Sequence, residues 1–581
     1  MEEKMKTKIL LEPDISQNTN TPKNGAEIVV RFLLHKGIGT VVGIPGGANL
    51  PLYDSLHGSG IRHILARHEQ GAGFIAQGIA RASGRAAVCL ASSGPGATNL
   101  ITAIADAKCD SVPLVAITGQ VPTSLIGTDA FQEVDTYGLS KPITKRNYIV
   151  RSIPELISAL SEAFQIAEEG RPGPVWIDIP KNVQLSPYVG DWEKTLEEWD
   201  LLETSGNITF VDSFFEEKFT RFCELLRDSK RPVLYIGGGI KLAAAEYLLR
   251  DFAESQDIPV TSTLMGLDCF PQNHRLSLGM LGMHGAPSTN VSLEESDLLL
   301  AFGVRFDDRA TGKLESFCPN AKVVHVDIDP REIGKLRRPD LSFQTDLYDF
   351  LKSAAGIPSR KREEWNSLIS SWKTLFPFPR LRAGNGFSPD AILKICKDSL
   401  GPDTILTSDV GQHQMWVAQY YPFQNRRTWI TSGGLGTMGF GLPVAIGISL
   451  AMPKKTVLCI SGDGSILMNI QELDTLADLQ SNVKILIFDN RHLGLVRQQQ
   501  ELFFESRFYG SSYERESKLA SIAQAFDIPS LNLAESENPF EELRKFLVKP
   551  GPGFAVIPVD PTLHVLPMVP AGKGNLEMLL E

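Results

Sequence analysis

The sequence predicts three consecutive α/β domains, each a parallel sheet covered by helices on both faces. Three observations lead there. The chain has 581 residues, more than one hydrophobic core accommodates, because single cores rarely grow past about 250–300 residues. Short β-branched runs that are apolar throughout recur along it, the pattern of strands buried on both faces. Each run closes on glycine, proline or a hydroxyl residue and alternates with helical signals, as in a doubly covered sheet.

Composition bounds the function. With 43% hydrophobic and 22% charged residues, 50 glycines and 36 prolines, the chain is no coiled coil, collagen-like fibre or wholly disordered polymer. Sixty-eight acids against 57 lysines and arginines give a formal charge of −11, which repels phosphate backbones, so nucleic acid is not an expected partner. Cys89, Cys109, Cys223, Cys269, Cys318, Cys396 and Cys459 are scattered without CxxC spacing and read as buried thiols of a reducing compartment. The opening MEEKMKTKILLEPDISQNTN has neither a signal-peptide core nor the Arg-rich character of a presequence. No apolar run approaches the roughly 20 residues that span a bilayer. A cytoplasmic protein without a membrane partner is expected.

The elements follow in order. AEIVVRFLLHKG is a helix, and TVVGIPGG, AAVCLASSGPGATN, PLVAITG and GPVWIDIP are strands, giving a first domain over 23–185. From Tyr188 to Phe215 periodicity is poor, and the stretch reads as a linker. RPVLYIGGG, IPVTSTLMG, SDLLLAFGVRF and AKVVHVDID form a second series, assigned to 208–352. SRKREEWNSLISSWKTLFPFPR starts helical and stops at its prolines. DTILTSDVG, TVLCISGDGS, VKILIFDN and GFAVIPVD give a third domain at 386–563, followed by a tail over 564–581. Glycine turns after central strands in both the first and third blocks point to a duplicated architecture, although βα repetition within one domain produces the same impression.

The most informative chemistry lies in the third block. Gly462-Asp463-Gly464-Ser465 follows one strand run, and Asn490 in ILIFDNRHLG follows another. Both side chains therefore emerge at the carboxyl ends of parallel strands, where open α/β sheets bind ligands. Two oxygen ligands there suit Mg2+, which also takes phosphate or water oxygens. The glycines let backbone approach a diphosphate, and Ser465 opens a helix whose amides favour anions. Upstream, Gln412 and His413 in DVGQHQMW read as polar pocket residues, and Met438 sits within SGGLGTMGFGLP, where an ordinary core methionine is the alternative. In the first block, HILARHEQGAGFIAQGIARASG places Glu69 at a helix start, the position of a dipole-matching glutamate by residue type alone.

GDGS with a strand-terminal DN resembles the thiamine-diphosphate motif. GIPGG at 43–47, SSGPGATNL at 92–100, VPLVAITGQVP, IGTDAFQE and RPGPVWIDIPK extend the likeness, from residue 24 onward, to the catalytic large subunit of acetohydroxyacid synthase, also called acetolactate synthase. The resemblance implies a thiamine-diphosphate-binding fold and three cofactors: thiamine diphosphate, Mg2+ and FAD. It implies that Asp463, Asn490 and the His492 carbonyl hold Mg2+, and that Glu69 hydrogen-bonds the aminopyrimidine. Gly46, Gln412, His413, Met438, Gly462, Gly464, Ser465 and His492 complete the thiamine-diphosphate set, with Met438 as the wedge that keeps the cofactor bent. GMLGMHG, GVRFDDRATG and VVHVDIDPREIGK resemble the FAD-binding set, which gives His284, Gly285, Arg305 and Asp327 together with Arg171 and Asp346. YIGGGIKL lacks the spaced GxGxxG form, and a nucleotide-free middle domain is the alternative.

The same resemblance implies a substrate channel of Gly47, Gln120, Phe131, Lys181 and Gln499, with Gln132 and Arg309 beside Glu69 in catalysis. Arg309 would meet a substrate carboxylate; a surface ion pair is its other reading. Lys181 would make the channel mouth cationic. Gln499 stands where many members carry tryptophan, and Ser124 where many carry arginine. The implied reaction condenses two pyruvates to 2-acetolactate and carbon dioxide, or pyruvate with 2-oxobutyrate to 2-aceto-2-hydroxybutyrate, at the head of branched-chain amino-acid synthesis. A homodimer or homotetramer and a small regulatory subunit are the implied partners. Competing readings are another thiamine-dependent carboligase or acetyltransferase, such as catabolic acetolactate synthase, and a non-catalytic nucleotide-binding scaffold.

Overall fold

The computed structural model describes residues 21–205, 214–379, 381, 384, 386–515 and 517–581. The expected start of the second domain at residue 208 lies outside the described residues. The first sheet comprises Thr40–Gly43 (β1), Arg62–Leu65 (β2), Ala87–Ala91 (β3), Leu114–Gln120 (β4), Arg146–Ile149 (β5) and Pro174–Pro180 (β6). The second comprises Pro232–Ile236 (β7), Val260–Ser262 (β8), Ser277–Met280 (β9), Leu298–Phe302 (β10), Lys322–Asp327 (β11) and Leu341–Gln344 (β12). The third comprises Ile405–Ser408 (β13), Trp429–Thr431 (β14), Val457–Gly462 (β15), Val483–Asp489 (β16), Ser530–Asn532 (β17) and Gly553–Pro558 (β18). Their ladders are parallel, as the apolar runs predict.

Strand order carries more than strand count. The first sheet runs β2-β1-β3-β4-β6-β5 and the third β14-β13-β15-β16-β18-β17, so the two share one topology and the duplication expected from the glycine turns is realised. The middle sheet runs β9-β8-β7-β10-β11-β12, the doubly wound dinucleotide-binding order. In each sheet the order reverses between two central strands, and a crevice opens above their carboxyl ends. Those crevices lie at β1/β3, β7/β10 and β13/β15.

Alternation explains why the strands are apolar throughout. Val88 and Leu90 of β3 feed one core cluster, while Ala87, Cys89 and Ala91 feed the other, so each face has its own helices to bury. The second of these clusters is continuous with the third domain, running through Phe74 and Ile75 to Val444, Ile446 and Ile448. The helix Glu69–Ser83 opens on His68, whose side chain accepts from Gln70 N–H, and closes on Gly84 in the left-handed region. It packs against the helix Gly441–Ala451. A Cβ on Gly78 would strike the Val444 carbonyl and one on Gly447 the Ile75 carbonyl, so close approach requires glycine at both positions. Pairing 78 with 444 and 75 with 447 makes the two helices antiparallel.

The stretch expected as a linker is ordered differently. Trp192–Ser205 is a helix, with Trp192 and Trp199 buried on the first domain, the Trp199 ring 4.7 Å from Phe32 and 5.2 Å from Trp192. Two tryptophans seven residues apart lie on one helical face; the acids between them mask the period. The helix Glu363–Leu375 ends before Pro377, as its sequence predicts. The 564–581 tail folds back on the body, pairing Met568 with Leu579 and tying Val569 N–H to the Met283 carbonyl. Five of the seven cysteines are buried, Cys109 and Cys223 are half-buried, and all are free thiols. Among the described residues no helix is long and apolar enough to cross a membrane.

Candidate active site

Residues from β13, β15 and β16 converge above the third crevice. Asp463 follows β15 and begins the short helix Asp463–Ile466. Asn490 follows β16, where Arg491 at φ 56° turns the chain and His492 N–H donates to Asn490 Oδ1 at 2.9 Å. The turn is pinned by Ser512, which pairs with His492, and by Tyr513, whose N–H donates to the Arg491 carbonyl. Asn490 Nδ2 donates to Gln412 Oε1 at 3.0 Å, and Gln412 Nε2 donates to Gln498 Oε1 and the Leu563 carbonyl. A Cβ on Gly494 would lie 2.7 Å from Asn490 Nδ2, so the pair depends on glycine there.

Asp463 is 5% exposed. Burial, then the neighbouring Asp489 charge, hold its carboxyl well above the ordinary carboxylate range. Such an acid is poised for a cation, which favours the ionised form. His413 is pushed down to about 3 by burial, so its imidazole is neutral, and its Nε2 is buried without a partner. The ring lies against Gly411 and Gly462, where a Cβ would come within 2.6 Å and 2.9 Å of it. Ser465 hydroxyl donates to the Val410 carbonyl at 2.8 Å. At Gly464 a Cβ would meet Tyr513 Oη at 2.6 Å. A neutral buried donor, helix-start amides and an acid beside an amide oxygen are the donor set that Mg2+ and a diphosphate require, so the residues fit that group.

The first crevice holds the other set. Glu69 is half-buried, and its Oε2 accepts from Asn99 Nδ2 at 2.9 Å. Gly96 lies against the same carboxylate, and Tyr53 feels its charge. Gly46 N–H donates to Asn49 Oδ1 at 2.7 Å, and a Cβ there would sit 2.5 Å from Ser92 Oγ, a buried hydroxyl without a partner. Within one chain the two sets are apart. Gly441, at one end of its helix, adjoins Asp409 and the third crevice, whereas antiparallel packing puts Glu69 toward the other end, on the order of 15 Å along the axis.

At the middle crevice, Gly237 and Gly239 press on Gly303, which has φ 61°, so two backbones meet where a dinucleotide would lie. Asp327 ends β11 at 9% exposure, its carboxyl pushed up to about 6 by burial, with Oδ1 accepting Asp329 N–H. Arg305 Nη1 donates to the Cys109 carbonyl at 2.9 Å. Asp346 caps the helix Leu347–Ala354, and buried Gly285 abuts Leu281. Half-buried His284 meets the Pro567 carbonyl through Nδ1 at 3.0 Å and is pushed down to about 4 by burial. Arg171 reaches over from the first domain to Asp329 and Glu332, at 3.3 Å and 2.6 Å. A strand-terminal acid, glycine backbones and Arg305 just past β10 fit a flavin dinucleotide.

The residues expected to line a channel separate into three groups. On the first domain, Gly47 is open, Phe131 is 88% exposed, Gln132 at φ 60° lies over Gly94, and Lys181 starts the helix Lys181–Leu185. Gln120 is buried, its amide donating to Asp178 and to the Val134 carbonyl. On the second domain, Arg309 is exposed, contacts Met283 Sδ at 3.4 Å, and lines a cavity of about 140 Å³ with tail residues 569–572. On the third, Gln499 lines an open groove of about 620 Å³ with Val496, Phe504, Phe508 and Tyr509. The tail links the last two groups, since Val565 bonds Gln498 and Val569 bonds Met283.

Three family models match: "Thiamine pyrophosphate enzyme, N-terminal TPP binding domain" over residues 23–139, the central domain over 219–354 and the C-terminal TPP binding domain over 409–559. The acetolactate synthase isozyme 1 large subunit of Escherichia coli (strain K12) is 50% identical over 570 residues, covering 97% of this chain and 100% of that protein. The chain belongs to the acetolactate synthase large-subunit family. The isozyme 2 large subunit of the same organism is 44% identical, covering 96% of this chain and 99% of its own length. Acetolactate synthase 1, chloroplastic, of Oryza sativa subsp. japonica is 43% identical, with 96% and 88% covered. As an acetolactate synthase family member, the chain is a thiamine-diphosphate-dependent enzyme that uses Mg2+ and FAD. The biosynthetic reading thereby prevails over the scaffold and the catabolic alternative.

Gln498 and Asp409 escaped the sequence reading. Asp409 is fully buried and accepts from Gly439 N–H, Phe440 N–H and Ser461 Oγ; its place at the end of β13 was the available signal. Gln498 is one of three consecutive glutamines, and only the helix phase shows that it alone of them points inward.

One pH effect follows from Asp463. With Asp463 as a metal ligand, as proposed below, a proton competes with the metal below its raised pKa, so apparent Mg2+ affinity is expected to rise with pH from about 6 to about 8, by up to about tenfold per unit. Titration calorimetry in two buffers of different ionisation enthalpy checks this by counting the proton released.

Proposed function

We propose that this chain condenses two pyruvates to 2-acetolactate and carbon dioxide, and pyruvate with 2-oxobutyrate to 2-aceto-2-hydroxybutyrate, in a cavity completed by a second copy of itself. The observation that carries the reading is the division of the chemistry between two crevices of one chain: a carboxylate at Glu69 and a cation-and-diphosphate set at Asp463, Asn490 and His413. Asp463 and Asn490 supply side-chain oxygens to Mg2+, with the His492 carbonyl as third ligand. His413 Nε2 and the amides at Gly464 and Ser465 donate to the diphosphate, with Gln412, Gly462 and Gly46 shaping its path. Met438 would pack against the bound cofactor.

Bound thiamine diphosphate supplies the electron sink that lets a 2-oxo acid lose carbon dioxide. Glu69 would share a proton between its carboxyl and the aminopyrimidine nitrogen of the bound cofactor, the proton-handling role this chain contributes. Arg309 pairs with the carboxylate of the incoming 2-oxo acid, and Gln132, held over Gly94, orients it beside Glu69. Lys181 draws anionic substrate toward the mouth, while Phe131, Gln120, Gly47 and Gln499 bound the path. Arg171, His284, Gly285, Arg305, Asp327 and Asp346 hold FAD, which undergoes no net redox in this reaction. A small regulatory subunit and a homodimeric or homotetrameric assembly belong to the same reading, which is supported by the large-subunit names of the relatives.

Purified chain given pyruvate, Mg2+ and thiamine diphosphate, with and without FAD and 2-oxobutyrate, should yield acetolactate as its main product. Recovery of another carboligation product would overturn the assignment. Gln499 offers little apolar surface to the extra methyl of 2-oxobutyrate. Gln499→Trp is therefore expected to shift acceptor choice toward 2-oxobutyrate by about 10–100-fold, within the 1–3 kcal/mol that one methylene can contribute; competition of the two acceptors in one reaction measures it.

A further inference from the structure

The glycine-dense segment that carries Met438 is held at both ends by carboxylates. Behind it, Asp409 Oδ1 accepts from Gly439 N–H at 2.8 Å and Phe440 N–H at 3.2 Å. Ahead of it the anchors come from a different domain. Asp110, just past the helix Ile101–Cys109, accepts Gly433 N–H through Oδ2 at 3.1 Å and Gly434 N–H through Oδ1 at 2.7 Å. Asp106, in that helix, accepts from the Ser432 hydroxyl and, at 2.9 Å, from Thr437 Oγ1. Ser432 Oγ in turn accepts Thr437 N–H at 2.9 Å.

Two carboxylates this close repel each other, and both side chains are fully shielded from solvent. Arg81 offsets that cost. Its Nη2 bridges Asp106 at 3.4 Å and Asp110 at 3.0 Å, and its guanidinium lies 5.1 Å from the centre of the Phe440 ring, two residues beyond Met438. Burying three charges to fasten a segment whose residues 433–436 are exposed is costly as packing alone. It also leaves little freedom at Met438. Gly434 abuts Cys109 and Gly433 abuts Met265, so the segment lies where all three domains meet.

We propose that Asp110, Asp106 and Arg81 are positioning residues for the reaction: they fix segment 432–437 from the first domain and thereby set the height of Met438 beneath the cofactor. The proposal rests on the thiamine-diphosphate reading of the third-domain crevice. It adds that the first domain acts on the diphosphate-side pocket of its own chain, independently of the carboxylate at Glu69.

The test uses the full chain depleted of thiamine diphosphate, with FAD and Mg2+ present, and titrates the cofactor by tryptophan fluorescence alongside kcat and the KM for pyruvate. Asp110→Ala removes two charge-assisted acceptors. It is expected to raise the cofactor Kd on the order of tenfold to a hundredfold, and flavin fluorescence is read beside it because Arg305 bonds the adjacent Cys109 carbonyl. Ser432→Ala, a milder change, is expected to raise the cofactor Kd on the order of threefold to tenfold and serves if Asp110→Ala does not fold. Met438→Ala is measured alone and combined with Ser432→Ala. Less-than-additive losses support the proposal. A cofactor Kd within about twofold of the parent in folded Asp110→Ala or Ser432→Ala, or losses that simply add, would overturn it. Absence of cofactor binding by the parent chain would instead sink the underlying reading of the crevice.

Discussion

Glu69→Gln should bind thiamine diphosphate and Mg2+ nearly as the parent does and turn over pyruvate about 100–10,000-fold more slowly. The asymmetry follows from what Glu69 touches. Its carboxylate meets Asn99 Nδ2 and the Gly96 backbone in the first domain and is not among the third-domain residues proposed to hold the phosphates and metal. Glutamine keeps the volume and one acceptor, so Asn99 remains bonded and the helix Glu69–Ser83, capped by His68 and Gly84, is undisturbed. What disappears is a proton that can be shared with the ring nitrogen. Stopped-flow turnover with pyruvate, beside a fluorescence titration of the cofactor, separates the two quantities. Turnover equal to the parent would show that the carboxylate has no chemical role.

Asp463→Asn should fail in the opposite way, losing metal and cofactor affinity before anything else. A direct charged ligand to a divalent ion is worth more than the roughly 10–100-fold that outer-shell partners contribute, so the loss in apparent Mg2+ affinity should exceed about a hundredfold. Stability of the metal-free chain should hold or rise. Burial first, then the neighbouring Asp489 charge, raise the Asp463 carboxyl, and an amide relieves the desolvation and the repulsion together. Thermal unfolding with and without Mg2+ and thiamine diphosphate checks both halves. The metal-free midpoint should be unchanged or higher, and the upward shift on adding ligands should shrink. A ligand-induced shift like that of the parent would place the metal elsewhere.

The sequence was most legible where strands end. Asp463 and Asn490 could be placed because glycine and asparagine interrupt unbroken apolar runs, and such interruptions occur at carboxyl ends of parallel strands. Glu69 could be placed because a helix start follows β2 directly. Strand order was not legible. The runs RPVLYIGGG and SDLLLAFGVRF do not announce that β7 and β10 are neighbours with a crevice between them, so the dinucleotide topology of the middle domain is visible only in the fold. Nor was contact between distant segments. Nothing in the sequence around Gln120 announces that its amide bonds Asp178 and the Val134 carbonyl. The sequence likewise gives no sign that Asp110 holds the Gly433 and Gly434 amides. Helix Trp192–Ser205 was hidden because acids outnumber the apolar residues that bury its face.

The division of the reaction between two copies can be tested by mixing the two variants above. A dimer pairing one Glu69→Gln chain with one Asp463→Asn chain contains one cavity with both defects and one with neither. Co-expressed with separable tags and purified as the heterodimer, it should show about half the parent turnover per dimer, although each variant alone is nearly inactive, because chain-to-chain assembly regenerates one of two sites. A heterodimer no more active than either variant alone would mean that Glu69 and Asp463 serve the same cavity from one chain, and the two-copy site would be wrong.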